Sequence, residues 1–237
     1  MKKITILIIA LGLTINAHAQ KKESKSSFSL SADIVSAFVW RGATASPTPN
    51  IQPAMSLTTG NLEIGFWGST DLLGKFKEID VFASYSIKGF SVTLTDYFWD
   101  PAKKYFDFEN KSTGHSFELG MAYGFEKIPL QISAATMLYG DDKKFAYHPT
   151  ESDSVKCNYS TYIEINYKFS ISENDLSVFV AATPTTGFYG NGCALIYAGV
   201  TANRIIKITD DFLLPVFATF AVNPQTEDFF VVFGITL

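Results

Sequence analysis

Apolar side chains recur at every second position along most of this chain, and that period of two constrains the fold more than any other feature. In the segment 161–169, Ile163 and Ile165 fall on one face of an extended chain, whereas Glu164 and Lys168 fall on the other. Such alternation is typical of β-strands and does not fit the 3.6-residue period of a helix. The high fraction of aromatic residues, 15%, also favours strands.

The alternation predicts an all-β fold of about twelve antiparallel strands. Most of these strands have the length that a tilted strand needs to cross the hydrocarbon layer of a membrane. We place them at residues 28–41, 50–58, 62–69, 78–87, 90–99, 115–125, 130–139, 159–169, 176–183, 193–202, 212–222 and 228–237.

The apolar faces of these strands carry a single charged residue, Asp96. A charged side chain that faces lipid costs up to about 2–4 kcal/mol, so uncharged faces favour an up-and-down transmembrane β-barrel. Asp96 is expected at the outer rim or at a bulge. Trp40 and Phe98 are expected in an aromatic girdle at the outer edge. A soluble β-protein is the alternative, since soluble barrels and sandwiches also alternate.

The connections between the strands mostly alternate between long and short. Long polar connections follow the odd-numbered strands, whereas short ones such as residues 59–61 and 88–89 follow the even-numbered strands. Outer-membrane barrels have this asymmetry, with short periplasmic turns and longer external loops. The connections therefore support the membrane barrel independently of the strand faces.

The first residues have the layout of a secretory signal peptide. Lys2 and Lys3 precede an apolar run from Ile4 to Ile15, which ends before a small-residue motif at Ala17–Ala19. We therefore expect a signal peptide at 1–19, a flexible lead-in at 20–27 and one barrel domain at 28–237. The net charge of −4 gives no reason to expect nucleic acid as a partner.

An exported compartment is oxidising, so Cys157 and Cys193 could form a disulfide, although two unpaired thiols are the alternative. His115 and His148 have no companions at metal-ligand spacing. No metal site or other cofactor is expected.

If the apolar faces meet lipid, the polar faces line the interior. The charged residues expected there, as pore-lining residues, are Asp33, Arg41, Glu63, Glu78, Asp80, Glu118, Glu164 and Lys168. Arg41 is placed at the outer end of the first strand, in the barrel mouth, and some of the acids should pair with Arg41 and Lys168. The excess of acids suggests a passage that favours cations. Bulky aromatic side chains also face inward, so a filled lumen remains open as the alternative.

Lipid hydrolysis is a further alternative, because some outer-membrane barrels place a His two residues from a Ser on one strand face. Here His115 directly precedes Ser116. Adjacent residues of a strand point to opposite faces, so this pair cannot form such a dyad without a bulge. We therefore do not expect an enzyme.

Residues 35 to about 99 resemble the TorF family of porin-like bacterial outer-membrane proteins. The resemblance rests on VSAFVWRGATAS, PNIQPAMSL, EIGFWGST and EIDVFASYS. The family motif resembles Ser-Asp-Tyr-Val-Trp-Arg-Gly, so Val39 to Gly42 fit, whereas Ala37 and Phe38 depart from it. The resemblance implies an outer-membrane barrel with a pore, and it supplies no substrate or catalytic residues.

The sequence thus predicts an outer-membrane β-barrel of a Gram-negative bacterium that passes small polar solutes and has membrane lipid as its surroundings. A non-conducting barrel whose outer loops bind or structure something is the second interpretation.

Overall fold

The computed structural model describes residues 26–148 and 155–237. The expected signal peptide at 1–19 and most of the expected lead-in lie outside the described residues. Within the described chain the first strand begins at Ser26, two residues before its predicted start.

Twelve strands in the described part of the chain form one closed antiparallel barrel, which confirms the predicted fold class. Each barrel strand pairs with the barrel strands that come before and after it along the chain, and the first strand closes on the last. The barrel strands are β1 (Ser26–Val35), β4 (Asn50–Thr59), β5 (Leu62–Asp71), β6 (Lys77–Ile87), β7 (Phe90–Phe98), β8 (His115–Gly124), β9 (Leu130–Gly140), β10 (Thr161–Ile171), β11 (Asn174–Thr183), β12 (Ala194–Lys207), β13 (Leu213–Asn223) and β14 (Asp228–Thr236).

The period of two in the sequence becomes an outer and an inner face of this barrel. Ile163 and Ile165 of β10 are exposed on the outside, whereas Tyr162, the residue before Ile163, is buried inside. Cross-strand partners share a face, so the register carries this division around the whole barrel. Large exposed apolar side chains therefore cover the outside, and polar and aromatic side chains fill the inside.

The two ends of the barrel differ in the length of their connections. The short-turn end is formed by residues 60–61, 88–89, 125–129, 172–173 and 208–212. The long-loop end is formed by residues 36–49, 72–76, 99–114, 141–148, 155–160, 184–193 and 224–227. The segment 141–148 includes a short helix, α1 (Lys144–Tyr147). No helix among the described residues is long and apolar enough to cross a membrane.

The predicted first strand, 28–41, is wrong at its outer end. β1 stops at Val35, and the chain then forms a separate hairpin of β2 (Phe38–Trp40) and β3 (Ala43–Ser46) that is not part of the barrel wall. The alternation of the predicted strand places Phe38 and Trp40 on one apolar face with Phe28 and Leu30, which predicts contact with lipid. Instead Phe38 is buried against the inward-facing Trp67, with ring centroids 5.3 Å apart.

The barrel closes along a short seam. β1 pairs with β4 from Ser26 to Val35, but it pairs with β14 only at Asp33, Ile34 and Val35. Backbone hydrogen bonds between Ala32 and Leu237, at 2.9 and 3.1 Å, extend the seam slightly.

Candidate functional site

The hairpin of β2 and β3 carries Trp40 and Arg41 into the lumen at the long-loop end. Its two-residue turn is Arg41-Gly42, with φ of 51° and 83°, the left-handed conformation that two-residue hairpin turns require. Gly42 packs directly on the barrel wall: a Cβ there would lie 2.1 Å from the carbonyl oxygen of Ile196. The Asn223 side chain donates a 2.9 Å hydrogen bond to the carbonyl of Gly42. The turn is thus fixed against β12 and β13.

Arg41 forms a two-pronged ion pair with Glu118 of β8. Its Nη1 lies 2.5 Å from Glu118 Oε2, and its Nη2 lies 2.9 Å from Oε1. Only 18% of the Arg41 side chain and 3% of the Glu118 side chain are exposed. This fork geometry is the strongest arrangement available to an arginine and a carboxylate. The expectation that an inward-facing acid pairs with Arg41 is therefore met by Glu118.

Three aromatic rings surround the guanidinium of Arg41. Its Cζ lies 4.7 Å from the ring centres of Trp40 and Tyr162 and 5.3 Å from that of Tyr189. Cations are attracted to aromatic faces at such distances, and a planar guanidinium stacks well on them. The rings therefore hold the Arg41 head group in one position.

Two tyrosine hydroxyls complete the coordination of Glu118. Tyr97 donates to Oε1 at 3.0 Å, and Tyr189 donates to Oε2 at 2.8 Å. Tyr189 also accepts a hydrogen bond from Arg41 Nη1. The carboxylate thus accepts from four donors, so its charge is fully compensated. Sequence analysis did not identify Tyr189, because it lies in the connection 184–193 and no strand pattern places it.

Burial alone would lower the pKa of Arg41, but the hydrogen bond and the charge of Glu118 outweigh it and raise the pKa above its ordinary value. Burial raises the pKa of Tyr189 well above its usual range. Arg41 is therefore a permanent cation, and Tyr189 stays a neutral hydroxyl that can donate to Glu118.

Packing around Trp40 fills the lumen at the long-loop end. Trp40 contacts Tyr97, Trp99 and Phe188, with ring centroids 5.3 to 6.2 Å apart. Asp142 holds the connections above this cluster: it accepts hydrogen bonds from the backbone and hydroxyl of Ser160, and that hydroxyl accepts from the backbone of Phe188. The hairpin, the Arg41–Glu118 pair and these rings form what we call the inner plug, defined by residues 38–46, Tyr97, Trp99, Glu118, Tyr162, Phe188 and Tyr189.

The lumen toward the short-turn end is lined differently. Small hydroxyl side chains dominate there, and some bond across strands, such as Ser84 with Thr93 at 2.9 Å and Thr201 with Thr219 at 2.8 Å. Glu63 faces inward in this region, beside Thr58 and Ser84. Hydroxyl groups dominate this half, which lacks the aromatic cluster of the other half, although Phe217 faces inward here over Gly234.

The remaining predicted pore-lining residues all fall on the inner face by register, at several levels. Asp33 accepts a 2.6 Å hydrogen bond from Thr236 at the seam, and Glu164 accepts one of 2.6 Å from Tyr162 below the inner plug. Lys168 lies further toward the short-turn end, where its side chain is exposed. The described residues show no ion pair for Lys168, so the expected pairing with an acid is not observed there.

Glu78 and Asp80 lie two residues apart on the inner face of β6. Asp80 is only 6% exposed, and its Oδ1 has no hydrogen-bond partner. The structure does not bring these two carboxylates to Arg41, whose charge is already matched by Glu118.

The predicted disulfide is not formed, and both cysteines are free. The Sγ of Cys157 faces the carbonyl of Met137 and the carboxylate of Asp142, at 3.5 and 3.8 Å, whereas Cys193 is exposed just before β12. Burial raises the pKa of the Cys157 thiol. Among the described residues, no three His, Cys, Asp or Glu side chains are grouped so that they could hold a metal ion.

Asp96, the charged exception on the outer faces, has a partner. His115 Nδ1 lies 2.9 and 3.0 Å from the two carboxylate oxygens, and its Nε2 faces the carbonyl oxygen of Tyr105. The connection 99–114 folds over this pair, with Phe108 stacked on the imidazole at 4.2 Å. Asp96 lies two residues before the end of β7, near the long-loop end, and β7 has no bulge. Neither ring nitrogen of His115 is hydrogen-bonded to a serine hydroxyl, and Ser116 points inward.

Two solved structures are similar in fold to this chain. The chain is similar to a porin refined at 1.8 Å resolution, with 14% identity and a TM-score of 0.39 over 82% of this chain. It spans only 62% of that porin's length. It is also similar to OccK5 (OpdH) of Pseudomonas aeruginosa, with 13% identity and a TM-score of 0.37, over 92% of this chain and 68% of that one. No family model matches the chain, and no curated protein matches it. The resemblance of residues 35–99 to the TorF family stays a prediction.

Proposed function

We propose that this protein is an outer-membrane barrel that passes small polar solutes through a lumen narrowed by the inner plug, with its long-loop end outside the cell. The observation that carries the proposal is the contrast between the two faces of the wall. Outward-facing charged residues, Lys77, Asp96 and Arg204, lie at or near the ends of their strands, whereas the inner face is polar toward the short-turn end. A wall of this kind fits lipid outside and water inside.

The charges of the lumen favour cations among the solutes. Glu118 neutralises Arg41, so Arg41 contributes no net charge to the passage. Among the predicted pore-lining residues, Asp33, Glu63, Glu78 and Glu164 then remain against Lys168 alone, and the buried Asp80 is not counted. Rings of acidic side chains select cations in channels. We therefore infer weak cation selectivity.

The test is conductance of the purified protein in planar bilayers under a salt gradient. We expect small, discrete conductance steps and a reversal potential of the sign that cation preference produces. Replacing Glu63 with Gln should shift this potential toward zero, because Glu63 lies in the polar half and has no tight partner among the described residues. Steps no larger than those of a detergent control would contradict the proposal.

A non-conducting barrel is the second candidate, and the inner plug favours it. Rings and a compensated ion pair occupy the lumen at the long-loop end. Absence of conductance in the wild type, together with a folded barrel, would support this function instead.

A further inference from the structure

A long apolar groove crosses the outer wall of the barrel between β4 and β7. Its volume is about 640 Å³, within the range of pockets that hold small organic ligands, and nearly all of its lining is apolar. Outward-facing side chains form its sides: Leu30, Pro53, Met55, Phe66, Ile79 and Phe98. Gly68, which has no side chain, lies at the base of the groove.

Gly68 faces outward and leaves room where its neighbours present large side chains. A Cβ at this position would lie 3.1 Å from the carbonyl oxygen of Glu78, so the backbone here has no space for a side chain without adjustment. Phe66 and Ile79 stand beside it as ridges, 43% and 41% exposed. The apolar space between these two ridges suits a hydrocarbon chain.

One side of the groove is built by the connection 99–114. Pro101 and Tyr105 line the groove, and the carbonyl of Tyr105 is the group that faces His115 Nε2. The Asp96–His115 pair therefore fixes the segment that forms this side. This hydrogen-bonded pair on the outer face therefore positions one side of the groove.

A positive charge marks the long-loop end of the groove. Lys77, the first residue of β6, lines the groove and is exposed, and the described residues give it no ion pair. Glu78 also lines the groove, but it falls on the inner face of β6 by register. The nearby carboxylate of Asp71 is engaged elsewhere, because it accepts hydrogen bonds from the backbone of Lys75 and Phe76 and from Thr48. Asp100 Oδ1 likewise accepts from the backbone of Ala102. Lys77 is therefore available to an anion outside the protein.

We propose that this groove binds a phosphorylated lipid of the outer leaflet, with an acyl chain along Leu30, Met55 and Phe66 and a phosphate on Lys77. The proposal rests on the proposed function, since it requires the apolar wall to face lipid and the long-loop end to face outward. Charge complementarity selects this occupant: the groove is apolar along its length and cationic at one end, as an anionic lipid requires. A neutral lipid would leave the lysine without a partner.

Native mass spectrometry of the protein in a mild detergent tests the proposal, with bis-phosphorylated lipid A as the probe and diacylglycerol, which carries no phosphate, as the neutral comparison. We expect one saturable lipid A adduct that millimolar inorganic phosphate does not displace. Lys77→Gln should weaken lipid A binding by about fivefold, as expected for one lysine near a charged membrane surface. Thr70→Trp, which places an indole in the groove, should remove the adduct.

Two matched variants serve as controls. Lys127→Gln removes a lysine at the short-turn end, and Val200→Trp places an indole on the outward face of β12, away from the groove. Neither should change the adduct. Equal adducts for Thr70→Trp and Val200→Trp, or equal binding of lipid A and diacylglycerol, would overturn the proposal. Failure of the underlying function would be distinguishable, because the protein would then be soluble without detergent before any lipid was added.

Discussion

Arg41 is a charged group that the protein keeps almost out of water, and such a group is stable only while its partner remains. Glu118 supplies two hydrogen bonds and the opposite charge, and the rings of Trp40 and Tyr162 replace water over the faces of the guanidinium. Removing one member of a buried pair costs far more than the pair itself contributes, because the other charge stays behind. Glu118 is therefore the residue on which the inner plug depends most.

Replacing Glu118 with Gln should destabilise the inner plug by about 3–5 kcal/mol, since Arg41 would be left buried without a counter-charge. We expect a larger bilayer conductance and a lower temperature at which the folded band is lost on an unheated gel. Glu63→Gln is the control, an inward acid at the opposite end of the barrel, and its effect on the gel should stay within about 0.5 kcal/mol. The double variant Arg41→Gln/Glu118→Gln should recover part of the loss. An unchanged conductance in Glu118→Gln would contradict this role.

At the level of elements, the hairpin of β2 and β3 is the part that the sequence did not predict. Its residues continue the alternation of β1, so Phe38 and Trp40 were assigned to the lipid face with Phe28 and Leu30. Alternation cannot distinguish a lipid-facing apolar residue from one that packs inside a lumen, since both environments exclude water. The signal available in the sequence was the glycine of Arg41-Gly42 between two short extended segments, because glycine favours tight hairpin turns. In the structure both residues of this turn have positive φ.

Gly42→Ala should displace the hairpin and enlarge the conductance, because the added Cβ would meet the carbonyl oxygen of Ile196 at 2.1 Å. Gly60→Ala is the matched control. Gly60 has a φ of +60°, close to the +83° of Gly42, but a Cβ there meets nothing within 4 Å. Both variants carry the strain of a left-handed alanine, about 1–3 kcal/mol, and only Gly42→Ala adds a clash. Equal conductance in the two variants would show that the turn does not seal the lumen.

For the whole molecule, the sequence predicted the architecture well because a closed barrel repeats one rule around its circumference. The number of strands, the inner position of Glu118 and Glu164, and the two unequal ends all follow from a period of two and from connection lengths. The contents of the lumen follow from neither. Tyr189 reaches Glu118 across 71 positions of the chain, and only the closed barrel brings them together.

The barrel is closed by the pairing of β1 with β14, which is short. β6 and β7 pair from Ile79 to Ile87, whereas β1 and β14 share three residue pairs, extended by hydrogen bonds between Ala32 and Leu237 and between Ser36 and Phe233. Unpaired backbone groups in a membrane are costly, so each interaction at this seam matters more than its counterpart elsewhere. Thr236 donates a 2.6 Å hydrogen bond to Asp33 within the seam.

Thr236→Val should therefore lower the temperature at which the barrel unfolds in detergent more than Thr93→Val does. Each change removes one cross-strand hydrogen bond from an inner face without altering the shape of the side chain, since Thr93 bonds Ser84 in the β6–β7 pair. Loss of a hydrogen bond to a carboxylate costs about 1.5–3 kcal/mol, against about 0.5–1.5 kcal/mol for a neutral one. The seam should enlarge this difference, because few neighbouring pairs hold the strands together once Thr236 is changed. Heat-modifiable migration on a gel measures both variants directly, and an equal or smaller shift for Thr236→Val would show that closure does not limit the stability of the barrel.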